Sequence, residues 1–271
     1  VQEFRGNYAA MKGRGVDLIL NSDNIRNEDF SWQTGILLSW AKDRVTVFSG
    51  AFPSLLGTGS TASPVVGYPV NALYSFKWAG LDSETGAPQG YDANGNITED
   101  YGGLIQEASI GNMAVMRYVG PARPTKFGGI RNTFKYKEFT VSFNLSFKGG
   151  YYFRRNTINY SSLLNSGVAG HLDYLGRWQN PGDESRTSIP SLVLPANRNR
   201  DGFYENTPLL VEKGDHIRLQ DLSLEYNLGT LLDKKIPFRS LRIYAYANNV
   251  ALLWKATKTD LDPDFPLGGI R

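Results

Sequence analysis

The residues best able to do chemistry are few and scattered. Two histidines, His171 and His216, lie far apart in a chain without cysteine. A zinc site needs several imidazole or thiolate ligands at close spacing, so each reads as a loop or strand-end residue. The run TDLDPDF sets Asp260, Asp262 and Asp264 at alternate positions, where their oxygens could meet calcium. It lacks the glycine and distal glutamate of an EF-hand loop, and a turn set by Pro263 is the plainer account. GTGSTAS (57–63) has no lysine to complete a phosphate loop, and no Gly-x-Ser-x-Gly elbow occurs. DANGN (92–96) reads as a surface turn, because Asp, Asn and Gly tolerate positive φ. No carboxylate pair stands in an apolar setting that would raise one pKa for glycoside hydrolysis. The expectation is a protein that is not an enzyme and holds no metal and no cofactor. Loop aromatics, among them Tyr68, Tyr74, Trp78, Tyr101, Tyr151, Tyr152, Tyr160, Tyr174, Trp178 and Tyr204, could stack on sugars, meet a partner, or pack the loops on themselves.

What must position such residues is a set of strands. EFTVSFNLSFKG (138–149) alternates without a fault, with Phe139, Val141, Phe143, Leu145 and Phe147 on one side and Thr140, Ser142, Asn144 and Ser146 on the other. In a soluble sandwich the oily side meets a second sheet; in an outer-membrane barrel it meets lipid while the polar side lines the lumen. Alternation leaves both open. Composition is in keeping with strands and turns: 41% hydrophobic, 13% aromatic and 29 glycines in 271 residues. The net charge of +3, from 29 basic and 26 acidic residues, forms no dense basic block, so nucleic acid is not expected as a partner. No apolar run reaches the roughly 18–20 residues of a spanning helix, a test that barrel strands of about 10 residues escape. The start, VQEFRGNYAA, has neither methionine nor the basic start and apolar core of a signal peptide, and reads as a processed chain or an internal piece.

The strands come in pairs with short connections: 13–23 with 30–41, 127–136 with 138–150, and 216–229 with 240–253. In the fifth strand the apolar phase slips between Leu219 and Leu222, and a bulge near Gln220 and Asp221 would restore one face. Between pairs run two long insertions, 47–126 and 151–215, and part of the first, GYPVNALYSFKWAG, reads as short strands itself. Short connections alternating with long ones match barrels that have short periplasmic turns and long extracellular loops. Phe30, Trp32, Phe134, Tyr136, Phe139, Tyr226 and Phe238 flank the short turns, where an interfacial girdle would lie.

Four stretches then resemble the SusC/RagA-type TonB-dependent outer-membrane transporters. GDHIRLQDLSLEYNLG is similar to that family's gDYlRlknltLgYtLp, and SLRIYAYANNVALLWKATKTDLDPDF to its next strand and Asp-Pro-Glu loop. MRYVGPARPTKFGGIRNTFKYKEFTVSFNLSFKGG and MKGRGVDLILNSDNIRNEDFSWQTGILLSWAKDRVT resemble two earlier strand pairs, in the family's order. His216 stands where the family usually has Tyr, Asn248-Asn249-Val250 replaces Gln-Asn-Leu, and Asp264 replaces Glu.

The resemblance implies an all-β fold: residues 1–271 as the C-terminal part of one transmembrane β-barrel domain, roughly the last third of a 22-stranded barrel, without the plug domain and N-terminal strands. It implies TonB-dependent import of glycan or peptide across the outer membrane beneath a SusD-like surface lipoprotein, energised by TonB-ExbB-ExbD through the plug. Lipid and lipopolysaccharide would surround the barrel. Phe139, Val141, Phe143, Leu145 and Phe147 would face lipid, Thr140, Ser142, Asn144 and Ser146 the lumen, and Phe30, Trp32, Phe134, Tyr136 and Tyr226 would form the periplasmic girdle. The alternative is a secreted, soluble β-sandwich that binds carbohydrate.

Overall fold

The computed structural model describes residues 9–50, 54–56, 64–166, 170–228 and 241–265. In chain order the strands are β1 (Ala9–Arg26), β2 (Phe30–Phe48), β3 (Ala72–Phe76), β4 (Trp78–Leu81), β5 (Pro88–Tyr91), β6 (Ile97–Thr98), β7 (Met116–Pro121), β8 (Lys126–Tyr136) and β9 (Phe139–Gly149). They continue with β10 (Tyr152–Arg154), β11 (Val211–Lys213), β12 (His216–Asn227) and β13 (Arg242–Lys255). Among the described residues three α-helices accompany them: α1 (Tyr101–Ser109), α2 (Tyr160–Ser166) and α3 (Arg198–Glu205).

The frame is a six-stranded sheet in the order β1-β2-β8-β9-β12-β13, antiparallel throughout. Its strands are the six read from the sequence, and the first pair runs longer than the alternation indicated. Period-2 alternation ends where charged residues begin, whereas backbone pairing of β1 with β2 continues as far as Ala9 and Phe48. The β1–β2 turn is tied by Asn27, whose side-chain oxygen accepts from the backbone N–H of Phe30 at 2.7 Å. The β8–β9 turn is tight, with Lys137 at φ 53. The third short connection, 230–239, with Phe238 in it, lies outside the described residues.

The bulge expected in β12 is present. Pairing shifts between Leu219 and Asp221 against both neighbours; against β9 Gln220 is the extra residue, and Leu222, Leu224 and Tyr226 rejoin the face of Ile217 and Leu219. Across from it, Asn249 sits at φ 51, a left-handed conformation that asparagine adopts at lower cost than most residues.

The two long insertions, both at the end of the sheet away from the short turns, pack against each other. β3 pairs with β7, β4 with β5 and β6, and β10 with β11. Their common core joins Leu55, Tyr74, Phe76, Tyr101, Leu104 and Met116 of the first insertion to Phe203 of the second. The Phe203 ring lies 5.0 Å from Phe76 and 5.6 Å from Tyr101. At Gly86, φ is 67 and a Cβ would come within 2.3 Å of the Trp178 indole, so only glycine lets the second insertion close over the first. Asp100 caps α1 by accepting from Gly103 N–H at 3.0 Å, and Asn197 caps α3 by accepting from the N–H groups of Asn199 and Arg200.

Of the ten loop aromatics, Tyr74, Tyr101, Tyr151, Tyr160, Trp178 and Tyr204 are buried, so most pack the loops on themselves. DANGN is the β5–β6 turn, with Asp92 accepting from the N–H groups of Asn94 and Asn96 and Gly95 at φ 87.

Candidate functional site

The six strands divide their side chains between two unlike faces. Cross-strand register puts Phe139, Val141, Phe143, Leu145 and Phe147 in rows with Ile130 and Phe134 on β8 and with Ile217, Leu219, Leu222 and Leu224 on β12. On β1 and β2 the same face carries Val16, Leu18, Leu20, Ile36 and Leu38. No described element covers it: Val16 is 65% exposed, Leu20 50% and Leu224 46%. Phe30, Trp32, Phe134, Tyr136 and Tyr226 all gather on this face at the short-turn ends. Trp32 stacks on Phe134 at 5.6 Å, and Phe139 meets Tyr226 at 4.4 Å. Near its short-turn end the polar groups of the face are partnered among themselves. Asn132 Oδ1 accepts from Trp32 Nε1 at 2.9 Å and from Thr34 Oγ1 at 2.7 Å, and Asn24 Nδ2 donates to Thr34 at 2.7 Å.

Thr140, Ser142, Asn144 and Ser146 lie on the opposite face, in a hydrogen-bonded polar surface. Arg131 donates to Asp221 at 2.8 Å and to Ser142 at 3.2 Å, and Thr133 donates to Ser142 at 3.3 Å. Ser146 donates to Gln220, the bulge residue, at 3.4 Å. Beside Arg131 a concave pocket of about 360 Å³ is lined by Asn21, Asp23, Gln33, Gly35 and Thr133. The insertions reach over this face, since Asp43, which projects from it, accepts from Val70 N–H at 2.6 Å.

At the insertion end of the polar face stands a cluster that sequence reasoning missed. Segment 256–265 folds back so that Asp264 meets Lys148 at 2.6 Å, His216 Nε2 at 3.3 Å and Arg218 Nε at 3.3 Å. Arg218, 3% exposed, also pairs with Asp262 at 2.5 Å and donates to Asn249. Asp262 and Asp264 are therefore held closely by cations, while Asp260, fully exposed at its side chain, comes only within 3.9 Å of Lys255 Nζ. Among the described residues no cluster of acidic or imidazole groups is arranged to hold a metal. The one signal in the sequence was the pair of departures from the family pattern, His216 for Tyr and Asp264 for Glu: the two substituted side chains touch. His171 instead caps a 3₁₀ turn, accepting from Asp173 N–H at 3.1 Å.

The hydrogen bond from His216 and the Lys148 ammonium hold the Asp264 carboxyl well below the ordinary carboxylate range, against an opposing contribution from burial. A lowered folded-state pKa contributes stability that is complete above the unfolded value and lost only as pH falls through the folded one. Protection of 256–265 against hydrogen exchange, corrected for intrinsic rates, is therefore expected to hold from neutral pH down to about 4 and to collapse only in stronger acid. Asp264→Asn is expected to lower that protection across the whole range. A wild-type loss centred between pH 5 and 7 would contradict this.

A scan of protein-family models gives no match. The chain is 26% identical over 260 residues to TonB-dependent receptor P3 of Formosa agariphila, covering 90% of this chain and 24% of that one. TonB-dependent receptor P39 of the same organism is 24% identical, over 91% of this chain and 27% of its own. The chain is a homologue of TonB-dependent receptors. It spans about a quarter of the length of the curated relatives it matches. Solved structures agree on the fold: the RagAB peptide transporter superposes with a TM-score of 0.69 at 21% identity, over 95% of this chain and 27% of that one. The RagAB peptide importer in its open-open state gives 0.65 at 21% identity, over 96% and 27%. The curated relatives are named as receptors and the solved structures as a transporter or importer.

Proposed function

We propose that this receptor homologue forms one wall of a transmembrane β-barrel, residues 1–271 being the C-terminal part of a barrel of about 22 strands that encloses a plug. The observation that carries the reading is the uncovered apolar face. Its strand ends away from the insertions are ringed with aromatics, and β1 and β13 have no described partner on their outer edges. In lipid such edges must be paired, which requires further strands on both sides. A soluble sandwich would need a second layer over Val141 and Phe143, and no described element supplies one.

In this reading the apolar parity faces lipid, the polar parity faces the lumen, and Phe30, Trp32, Phe134, Tyr136 and Tyr226 mark the periplasmic interface. From Phe30 to Trp40 the strand rises about 33 Å at about 3.3 Å per residue. At a barrel tilt of about 40° that is about 25 Å along the membrane normal, the height of an outer-membrane apolar band. The insertions are extracellular loops. With the latch at Asp264 they fold over the mouth of the lumen, where a SusD-like lipoprotein delivers oligosaccharide or peptide, and TonB-ExbB-ExbD acts through the plug. The fold shared with the RagAB peptide transporter supports this arrangement.

The test is purification of the native protein from the outer-membrane fraction. The expected result is a chain well beyond 271 residues, co-purifying with a lipoprotein, whose uptake of oligosaccharide or peptide stops when TonB is deleted. Recovery of a soluble, monodisperse chain without detergent would overturn the proposal.

A further inference from the structure

Above the Trp40 level the apolar face changes character. Register places Lys12 opposite Arg44, Arg14 opposite Lys42, and Trp40 opposite both Val16 and Lys126, so five cations share the face of Leu18 and Leu38. All five are exposed. Arg14 and Lys42 rest against the Trp40 ring at 5.9 and 5.7 Å. No ion pair among the described residues engages any of the five. The nearby carboxylates, Asp17 and Asp43, project from the opposite face, and Asp43 is occupied by Val70 N–H. At the short-turn end, the strand positions of the same face carry rings and aliphatic side chains instead: Ile25, Phe30, Tyr136, Phe139, Tyr226 and Ile243.

Five unpaired cations directly above an apolar band at one end, against the single Lys137 beside the Tyr136 ring at the other, match a phosphorylated amphiphile: acyl chains along the band, phosphates at the cations. We infer that Lys12, Arg14, Lys42, Arg44 and Lys126 form a binding site for the phosphate groups of an outer-leaflet lipid. Trp40 sets its level and orients Arg14 and Lys42. This rests on the lipid-facing assignment proposed above and adds to it a particular headgroup and its ligands.

The test uses full-length protein purified from the outer membrane in detergent with EDTA, so that divalent cations cannot bridge. The probes are diphosphorylated lipid A, its dephosphorylated form and inorganic phosphate. The double variant Lys42→Gln/Arg44→Gln is expected to lower retention of diphosphorylated lipid A roughly thirtyfold, a factor of about five for each charge removed. Lys42→Arg/Arg44→Lys is expected to retain it, as is Lys135→Gln on the other face. Equal binding of the dephosphorylated lipid, or displacement by equimolar inorganic phosphate, would overturn the site as one for lipid phosphate. An inserted double variant that holds lipid A like wild type would overturn this inference and leave the barrel reading standing. A native chain found in the soluble fraction would overturn both.

Discussion

Arginine at Phe143 is expected to prevent stable insertion of the full-length protein, at a cost of roughly 2–4 kcal/mol near the bilayer midplane, and arginine at Val141, one row nearer the interface, to harm insertion at a smaller cost. Phe143 stands near the middle of the apolar face, in the row that runs from Asn132 on β8 to Leu222 on β12, and Val141 stands in the next row toward the short turns, between Phe134 and Leu224. A guanidinium there would have hydrocarbon on its outer side and a sheet with its backbone already paired behind it. Asn144→Arg, one residue from Phe143, enters the opposite face across from Asp221 and is expected to change stability by no more than about 0.5 kcal/mol. Ser142 departs from simple parity: it is 8% exposed because Arg131 and Thr133 close over it, so Ser142→Arg is expected to fall between these extremes. The measurement is the amount of heat-modifiable, protease-resistant barrel in the outer-membrane fraction. Equal losses at Phe143 and Asn144 would contradict the lipid assignment.

Arg154→Met is expected to loosen the insertions while leaving the sheet intact. The guanidinium is 7% exposed and bridges the two insertions, donating to Tyr74 O at 2.6 Å and Ser75 Oγ at 3.2 Å on one side. On the other it donates to Glu205 O at 3.0 Å and Thr207 O at 2.8 Å. Burial pushes its pKa down to about 10, which still leaves it charged at neutral pH. Methionine fills much of the volume but strands these buried acceptors, at a cost of at least about 3 kcal/mol given about 1–3 kcal/mol for each unsatisfied group. Hydrogen exchange should rise at 72–76 and 203–210 and stay unchanged in β8 and β9. Unchanged protection in both insertions would mean that the aromatic core around Phe203 holds them without the arginine.

The sheet was legible because its rule is local. Alternation from Phe139 to Phe147 needs only neighbouring residues, and the phase slip at Gln220 announces its bulge in the same short range. The latch was not legible. Lys148, His216, Arg218 and Asp264 come from two strands and a loop, and only tertiary folding brings them within reach. The helices escaped for a different reason: α1 opens with Tyr101-Gly102-Gly103 and α3 is mostly polar, so neither shows a helical stripe. They hold because Leu104 and Phe203 are buried in a core assembled from both insertions.

By itself the sequence determined the strand pairs, the identity of their two faces, the bulge and the resemblance to TonB-dependent transporters, since each is written in short-range periodicity or in contiguous motifs. Tertiary structure alone decided how the loops use their aromatics, which charges neutralise one another at Asp264, and which cations of β1, β2 and β8 stand together unpaired. Cross-strand register sets those neighbours. It is a long-range property, because a shift of one residue would turn every side chain of a strand to the other face.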